Sequence, residues 1–563
     1  MLQVFEITVI YLLTVVSAIV VDLPSGKVEG LTNTTLNGTQ FHSFLALRYA
    51  EPPIGSLRYK PPEPIKPWDH TYDATTEKNI CYQMARNSDL ESEDCLFLNV
   101  FTPKNLTSFA PDLAVLVWIH GGGFLSGSGY MSFGGFGPKF FMDSNVILVT
   151  LNYRLGAFGF LSTGDEIIPG NFGLKDQVLA LKWVQKNIEY FGGDPEKVTI
   201  FGQSSGGSSV GYHLLSPLSK GLYRAAILQS GSSLSPMAYQ RNQTDYTYKT
   251  IKLLDPEFNS TNSTEILEYL QSLPASKICK AASTLTSETE TPATYQLSKG
   301  FFYSVTKEVC HDGAFLTKLQ YQSVLNGEYN KVPILIGNTD EESLALLRLG
   351  DLSFLWNAYD SDPSILVPFD MNITSNSTLK DSVGGEILGY FGRFTKNPAK
   401  LIKHHSVHDL EKGNIKLASL MAAFSTVYFY QFSYSGKMGN NPYAVPGIGK
   451  VAHSEDLNYI FSRSYSEDIP DNSDLSKFNQ TDQTVHFRIM ELWTNFAKYL
   501  NPTPEGANQE LLQNTTWFPI DQTFRYLKID QNLSMQTGLP KTEAFMFWNN
   551  LYGKYAVPPL DTF

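Results

Sequence analysis

Short apolar runs alternate with longer amphipathic segments along the first half of the chain. The runs are rich in Val, Ile and Leu, as expected of strands buried on both faces of a sheet, and they lie at 115–119, 146–151, 198–201 and 225–228. Between the second and third run, apolar residues recur at helical spacing from Leu174 to Ile188, just before the Gly192-Gly193 pair. This alternation predicts an α/β fold with a mostly parallel sheet.

The second half continues the pattern less regularly. Strands are predicted at 332–336 and 427–432, and amphipathic helices at 484–500 and 542–554. Two stretches, 236–300 and 350–415, are rich in Ser, Thr, Asn and Pro, and we interpret them as insertions of helices and loops around an active-site entrance. No repeat and no linker divides the chain, so residues 19–563 are expected to form one domain.

The strand that ends near residue 201 leads into the motif Gly202-Gln-Ser204-Ser-Gly206 and then into a run of small residues typical of a helix start. A strand, a Gly-x-Ser-x-Gly turn and a helix in that order are the layout of a nucleophile elbow, which exposes the serine hydroxyl at a sharp turn. A second match, Gly207–Gly211, surrounds Ser209 but lies inside the predicted helix. The sequence therefore favours Ser204 as the nucleophile.

A serine nucleophile needs N–H donors for the negative charge that develops on the attacked carbonyl oxygen. The sequence His120-Gly-Gly-Gly-Phe124 directly follows the strand that ends at Ile119, and its glycines allow backbone N–H groups to face a ligand. We predict that Gly122 and Gly123 supply two donors and Ser205 a third. His120 is expected to pack beneath this loop.

The chain carries signs of secretion. Residues 7–16 are mainly apolar and precede the small residues of Val16-Ser-Ala18, which predicts a signal peptide over 1–18. No second apolar stretch is long enough to span a bilayer. Eleven Asn-x-Ser/Thr motifs indicate a glycoprotein, at Asn33, Asn37, Asn105, Asn242, Asn259, Asn262, Asn372, Asn376, Asn479, Asn514 and Asn532.

The charge and the cysteines of the chain limit its possible partners and disulfide pairings. The net charge of −12, without a long run of either sign, disfavours nucleic acid and anionic membranes as partners. Four cysteines in an oxidising compartment allow three pairings, of which the local ones, Cys81 with Cys95 and Cys279 with Cys310, are favoured. For the second pair, two buried free thiols remain the alternative.

Several further motifs resemble the type-B carboxylesterase and cholinesterase family of the α/β-hydrolase fold. Beside the elbow and the glycine loop, the likeness covers the segments 92–99, 152–156, 171–177, 191–195 and 229–231, within a region from about residue 22 to 552. The resemblance implies a large, mostly parallel central sheet flanked by helices, with N-terminal antiparallel strands and helical or loop insertions.

The resemblance also implies the two remaining members of a catalytic triad. Gly337–Ser343 follows a strand and matches the family's acid loop, which indicates Glu342, with Glu341 and Asp340 as rivals. Ala452–Phe461 matches the family's histidine loop and indicates His453.

Other matches imply scaffold contacts rather than chemistry. By the family's pattern, Arg48 would pair with Glu93, and Arg154 with Asp176. The nearby histidines His404, His405 and His408 lack cysteines or carboxylates at ligand spacing, so we interpret them as a solvated face and not as a metal site.

These observations together predict a secreted serine carboxylesterase that needs neither a metal nor another cofactor and that organophosphates inhibit. The segment between Cys81 and Cys95 lacks the tryptophan with which cholinesterases bind a quaternary ammonium, and Gln203 stands where they have glutamate, which favours neutral esters. A juvenile hormone or pheromone esterase is the alternative, and a non-catalytic adhesion protein of this fold is less favoured. The sequence does not determine the oligomeric state.

Overall fold

The structure is a computed structural model, and it describes residues 18–83, 88–289, 303–373, 375–463 and 471–563. Residues 1–17, which hold nearly all of the predicted signal peptide, lie outside the described residues. Among the residues that are described, no helix is both long and apolar enough to cross a membrane.

Most of the predicted strands join one large sheet. The strands are β1 Ala18–Leu23, β2 Gly26–Thr34, β3 Gln40–Arg48, β4 Tyr72–Asp73, β5 Ile80–Cys81, β6 Glu91–Ser92, β7 Phe97–Thr102, β8 Leu113–Ile119, β9 Ile147–Leu151, β10 Gly193–Gln203, β11 Ala225–Gln229, β12 Ile334–Thr339, β13 Val427–Phe432, β14 Arg525–Ile529 and β15 Leu533–Thr537. Their order across the large sheet is β1-β2-β3-β7-β9-β8-β10-β11-β12-β13-β14-β15, with β4 beside β2. The short strands β5 and β6 pair separately.

The direction of the strands divides the sheet into a parallel centre and antiparallel ends. From β9 through β8, β10, β11, β12 and β13 to β14, every neighbouring pair is parallel. The N-terminal strands β1, β2, β3 and β7 pair antiparallel, and so does the last pair, β14 with β15. The carboxyl ends of β8, β10 and β12 therefore meet at one edge of the sheet, where open α/β sheets bind their ligands.

Helices cover both faces of the sheet. They are α1 Met131–Gly134, α2 Lys139–Asp143, α3 Gly156–Phe160, α4 Phe172–Asn187, α5 Ser205–Leu215, α6 Gln243–Leu254, α7 Ser263–Ser272, α8 Ala275–Thr289, α9 Gln320–Leu325, α10 Ser353–Ser361, α11 Ser377–Phe391, α12 Pro398–His405, α13 Lys412–Met421, α14 Gln480–Tyr499 and α15 Thr542–Tyr555. On one face, α5 and α13 contact the central strands β10 to β12, and on the other, α14 and α2 contact β8, β9 and β10. This is the α/β-hydrolase architecture expected from the sequence.

The predicted strand at 427–432 is observed with those bounds, and the predicted helix at 484–500 becomes α14. Every residue in β8, β9, β11 and β12 is buried, as expected for strands covered on both faces of the sheet. The same burial explains why these runs lack polar alternation.

The four cysteines do not form the two expected disulfides. Cys81 is bonded to Cys95, but Cys279 and Cys310 are both unpaired, which corrects the expectation of a second disulfide. The thiol of Cys279, on α8, contacts the backbone carbonyl of Gln83 at 3.2 Å, whereas Cys310 is exposed. The two thiols therefore have different surroundings, and burial raises the pKa of Cys279 to about 11.

One of the two implied ion pairs has different partners. Arg154 and Asp176 form a buried pair with an Nη2–Oδ1 distance of 2.7 Å, as the resemblance implied. Glu93, however, binds the buried Arg58 at 2.6 Å and not Arg48. The Arg58 guanidinium also donates to the Leu270 carbonyl, and this contact holds it in the interior. Arg48 pairs instead with Asp94, through an Nη2–Oδ2 bond of 3.0 Å.

The histidines at 404, 405 and 408 do not form a solvated face. All three are almost fully buried, at the junction between α12 and a π-helix over Ser406–Glu411. Asp409 lies between two of the rings, 2.9 Å from Nδ1 of His405 and 2.8 Å from Nδ1 of His408. Burial by itself raises the pKa of Asp409, but attraction by the two rings outweighs it and lowers that pKa. The described residues contain no group of three or more His, Cys, Asp or Glu side chains that could hold a metal.

The predicted glycosylation sites all fall on described residues. Ten of the eleven asparagines are exposed. Asn33 is half-buried, and its side-chain nitrogen donates to Ser43 Oγ at 2.7 Å. By exposure, the other ten sites are therefore more accessible to a glycan than Asn33.

Candidate active site

Ser204 occupies the turn between β10 and α5. Its backbone has φ 58° and ψ −128°, a combination that non-glycine residues seldom adopt and that costs about 1–3 kcal/mol. Two backbone hydrogen bonds hold this conformation, from Ser204 N–H to the Gln229 carbonyl and from Ser208 N–H to the Ser204 carbonyl, each 2.9 Å. The turn thus has the strained geometry of a nucleophile elbow.

Gly206 allows α5 to begin directly against the end of β8. A Cβ atom at this position would lie 2.1 Å from the Ile119 carbonyl oxygen, which is far inside van der Waals contact. The glycine therefore brings the N-terminus of α5 next to the loop that follows β8. For this reason, the N–H of Ser205, the first in the helix, lies next to the predicted oxyanion loop.

The glycine loop after β8 carries two of the three N–H groups that the sequence predicts as oxyanion donors. Gly122 has φ 112°, and a Cβ there would lie 2.0 Å from the Ser126 carbonyl oxygen, so only glycine fits. The Gly122 carbonyl accepts hydrogen bonds from Leu125 and Ser126 at 3.0 Å. Within the described part of the chain, the N–H groups of Gly122, Gly123 and Ser205 have no hydrogen-bond acceptor. Each of these three N–H groups is therefore free to donate to a ligand, as its predicted role in the oxyanion hole requires.

Glu342 follows β12 and is completely buried, and its side chain faces His453. Glu342 Oε2 lies 2.6 Å from His453 Nδ1, and Oε1 accepts the N–H of Thr339 at 2.8 Å. Burial by itself raises the pKa of Glu342, but attraction by His453 and the hydrogen bonds outweigh it, so the pKa lies below its ordinary value. The carboxylate is thus kept ionised next to the imidazole.

The rival carboxylates are engaged elsewhere. Asp340 accepts the N–H groups of Lys450 and Val451 at 3.1 and 2.9 Å. Glu341 accepts the N–H of Gly449 and binds Lys541 at 3.2 Å. Glu342 is the carboxylate of this loop that meets the histidine.

His453 connects the acid loop to the elbow. Its side chain is 21% exposed, and its backbone N–H donates to the Glu342 carbonyl at 3.1 Å. Because Nδ1 faces a carboxylate, we assign the proton to Nδ1, which leaves Nε2 as the basic nitrogen. Nε2 accepts a hydrogen bond from the Gln203 side-chain amide at 3.0 Å. The same amide also donates to Ser454 Oγ at 2.8 Å.

Ser209, the centre of the second motif match, is excluded from the site by its position. It is fully buried inside α5, and its hydroxyl donates to the Ser205 carbonyl at 2.9 Å. His120 lies beneath the glycine loop, as expected. Its ring stacks on Tyr153 with centroids 4.4 Å apart, and burial lowers its pKa to about 4, so it is neutral near pH 7.

Two side-chain contacts of the site were not predicted. The sequence treated Gln203 only as a departure from cholinesterases and Ser205 only as a backbone donor. In the structure, the Gln203 amide binds His453, and the Ser205 hydroxyl accepts the N–H of Phe124 at 3.2 Å. Their position beside the nucleophile was the available signal, but side-chain partners from distant loops cannot be read from it.

Comparison with known proteins places this arrangement in a family. The model of the carboxylesterase family matches residues 17–548. This chain belongs to the carboxylesterase family. The family and its named relatives establish that the protein is a carboxylic ester hydrolase, whose substrates are small-molecule esters.

Individual relatives of this carboxylesterase extend over nearly its whole length. Esterase FE4 of Myzus persicae is 35% identical over 558 residues, which cover 94% of this chain and 93% of the relative. Juvenile hormone esterase of Tribolium castaneum is 34% identical and covers 87% of this chain and 84% of the relative. The crystal structure of juvenile hormone esterase from Manduca sexta, with OTFP covalently attached, matches with a TM-score of 0.81 and 28% identity, over 95% of this chain and all of that one.

Proposed function

We propose that this protein is a secreted serine carboxylesterase that hydrolyses neutral esters through an acyl-enzyme, with Ser204 as nucleophile, His453 as base and Glu342 as the acid that orients it. The observation that carries the proposal is the convergence of a strained Ser204 turn, three N–H groups without acceptors and a His453–Glu342 contact of 2.6 Å. The elbow carries Ser204 and the Ser205 N–H, whereas the other two N–H groups, Glu342 and His453 belong to three other loops at the same edge of the sheet.

The proposed reaction begins when the Ser204 hydroxyl attacks the ester carbonyl and its proton passes to His453 Nε2. For this transfer, Nε2 exchanges its hydrogen bond with Gln203 for one with Ser204. The Glu342 carboxylate stabilises the imidazolium, and the N–H groups of Gly122, Gly123 and Ser205 bind the oxyanion. The alcohol leaves with the proton from His453, and water then attacks the acyl-enzyme by the same route.

A neutral substrate is supported by the groups around the nucleophile. Gln203 places an uncharged amide beside His453, so this position offers no fixed negative charge to a cationic ester. The loop closed by the Cys81–Cys95 disulfide contains no tryptophan to bind a quaternary ammonium.

Substitution of the nucleophile tests the proposal. We expect Ser204→Ala to abolish hydrolysis of a short-chain aryl ester while secretion and thermal unfolding stay unchanged. The matched control is Ser209→Ala, which removes a buried hydroxyl from the competing motif and should retain activity. An organophosphate should label the wild-type protein at Ser204, as found by peptide mass spectrometry. Turnover by Ser204→Ala, or labelling at another residue, would show that Ser204 is not the nucleophile.

A juvenile hormone ester is the second candidate substrate, and likeness to two juvenile hormone esterases favours it. Profiling kcat/KM over acyl and alcohol chain length separates the two possibilities. An enzyme dedicated to that hormone should prefer its terpenoid methyl ester strongly, whereas a broad carboxylesterase should accept simple esters with similar efficiency.

Secretion and glycosylation belong to the same proposal. They are supported by the sequence of residues 1–18 and by ten exposed acceptor asparagines. Expression in a eukaryotic secretory host, followed by N-terminal sequencing and glycopeptide mass spectrometry of the medium, tests both. We expect a new N-terminus near residue 19 and glycans at exposed sites.

A further inference from the structure

The hydroxyl of Ser205 joins the helix that follows the nucleophile to the end of the glycine loop. Ser205 is 3% exposed, and its Oγ accepts the backbone N–H of Phe124 at 3.2 Å. Phe124 directly follows Gly123, one of the proposed oxyanion donors. This contact is separate from the backbone N–H of Ser205, which any residue at the position would supply.

Phe124 needs such contacts because its backbone is strained. It has φ 61°, a left-handed conformation that a bulky residue rarely adopts. Its carbonyl accepts the N–H of Gly156 at 2.7 Å, and its buried ring packs edge-on against Phe160 with centroids 5.0 Å apart. The N–H is the third anchor, and Ser205 Oγ is its acceptor.

The start of the same loop is held by Tyr153, whose hydroxyl also interacts with the Ser205 side chain. The hydroxyl of Tyr153 donates to the His120 carbonyl at 2.9 Å, and the two rings stack. The three glycines at 121–123 therefore lie between two anchored residues, His120 and Phe124. Removing the Ser205 hydroxyl would take away one of the three anchors at the end nearest Gly123 and leave a buried N–H group without an acceptor.

We propose that the Ser205 hydroxyl is a positioning group for the oxyanion hole. By anchoring Phe124, it holds the N–H groups of Gly122 and Gly123 at the place where the oxyanion forms. This inference rests on the proposed function of the glycine loop and adds a side chain to it. Preorganised donors stabilise the transition state more than the bound ester.

Ser205→Ala tests the proposal, because it removes only the hydroxyl and keeps the N–H. We expect kcat for an aryl ester to fall by about 3- to 10-fold with KM within about twofold, since the lost interaction acts on the oxyanion. The Ki of a trifluoromethyl ketone should rise by a similar factor. That inhibitor forms a bond from Ser204 Oγ to its carbonyl carbon, the carbonyl electron pair moves to oxygen as an oxyanion, and the serine proton goes to His453.

Ser209→Ala is the matched control, one turn further along α5. It removes another buried hydroxyl, which binds the Ser205 carbonyl and Gln177 but not the glycine loop. We expect its kcat and Ki to stay within about twofold of the wild-type values. Organophosphate titration of active sites gives kcat per active site for the wild type, Ser205→Ala and Ser209→Ala, all of which retain Ser204.

Each alternative outcome overturns the inference. The hydroxyl has no positioning role if Ser205→Ala equals the control in kcat and Ki, if only KM changes, or if the rate loss disappears once active sites are counted. Failure of the proposed function itself is recognised separately, because Ser204→Ala would then retain activity. The two results are therefore distinguishable within one set of variants.

Discussion

At the scale of single residues, the two neighbours of Ser204 contact different parts of the site. Gln203 contacts the basic nitrogen of His453, and Ser205 contacts the end of the glycine loop. Both are uncharged, so neither adds a fixed charge next to the reacting atoms. Replacing one of them by a charged residue should therefore change the chemistry without rebuilding the site.

Gln203→Glu provides such a change. A carboxylate about 3 Å from His453 Nε2 would place a negative charge at a position that offers none in the wild-type enzyme. We expect the ratio of kcat/KM for a cationic ester to that for a neutral ester to rise by about 3- to 10-fold, because the new charge attracts the cation. The measurement compares a choline ester with an uncharged ester of the same acyl chain, with Gln203→Met as the uncharged control of similar size. Equal ratios for wild type and Gln203→Glu would refute this account of Gln203.

At the scale of elements, the loop that carries His453 is held by the buried carboxyl group of Glu455. Glu455 Oε1 accepts the N–H of Ala452 at 2.5 Å and so fixes the turn around the histidine. Burial raises the pKa of Glu455 from 4.5 to about 8. This carboxyl is therefore protonated at neutral pH in the folded state, where it needs no counter-ion.

The raised pKa makes stability depend on pH. The folded protein holds this proton more tightly than the unfolded chain, so the contribution is complete below about pH 4.5 and is lost as the pH rises through about 8. The slope is roughly 1 kcal/mol per pH unit in that window. A glutamine side chain would keep an acceptor for the Ala452 N–H without ionising. Glu455→Gln should therefore unfold at the same temperature as wild type at pH 5 and at a higher temperature at pH 9. Scanning calorimetry at pH 5 and pH 9 measures these unfolding temperatures. The same difference between variant and wild type at both pH values would contradict the prediction.

At the scale of the whole molecule, one disulfide and two free thiols replace the two disulfides expected from cysteine spacing. The bonded pair, Cys81 and Cys95, lies next to the segment that carries the Arg58–Glu93 pair. Cys279 lies against the segment that contains Cys81, through the Gln83 carbonyl, whereas Cys310 is on the surface.

Thiol labelling tests this arrangement. Alkylation of the denatured protein without reductant should modify Cys279 and Cys310 and spare Cys81 and Cys95. In the native protein, Cys310 should react faster, because Cys279 is partly buried and burial raises its thiol pKa to about 11. Peptide mass spectrometry assigns the labels. If Cys279 and Cys310 both stayed unmodified in the denatured protein, a second disulfide would be present and this arrangement would be wrong.

The predictable and unpredictable parts of the site differ in how far apart their residues lie along the chain. Ser204, Ser205 and the glycines at 122 and 123 stand in short motifs beside recognisable strands, so their positions followed from local pattern. Glu342 and His453 followed only from resemblance, since nothing local separates Glu342 from Glu341 and Asp340. The Arg58–Glu93 pair and the burial of the three histidines at 404, 405 and 408 were missed, because partners 35 residues apart and a π-helical turn leave no periodic signal.

The sequence alone determined the order of strands and helices, because burial on both faces of a parallel sheet demands continuous apolar runs and a strained serine turn demands small neighbours. It also determined the family, through motifs spread along the whole chain. The tertiary structure alone decided which carboxylate faces His453, which arginine meets Glu93 and which thiols remain free. These choices depend on distances between segments that are remote in sequence, and only the packed fold sets those distances.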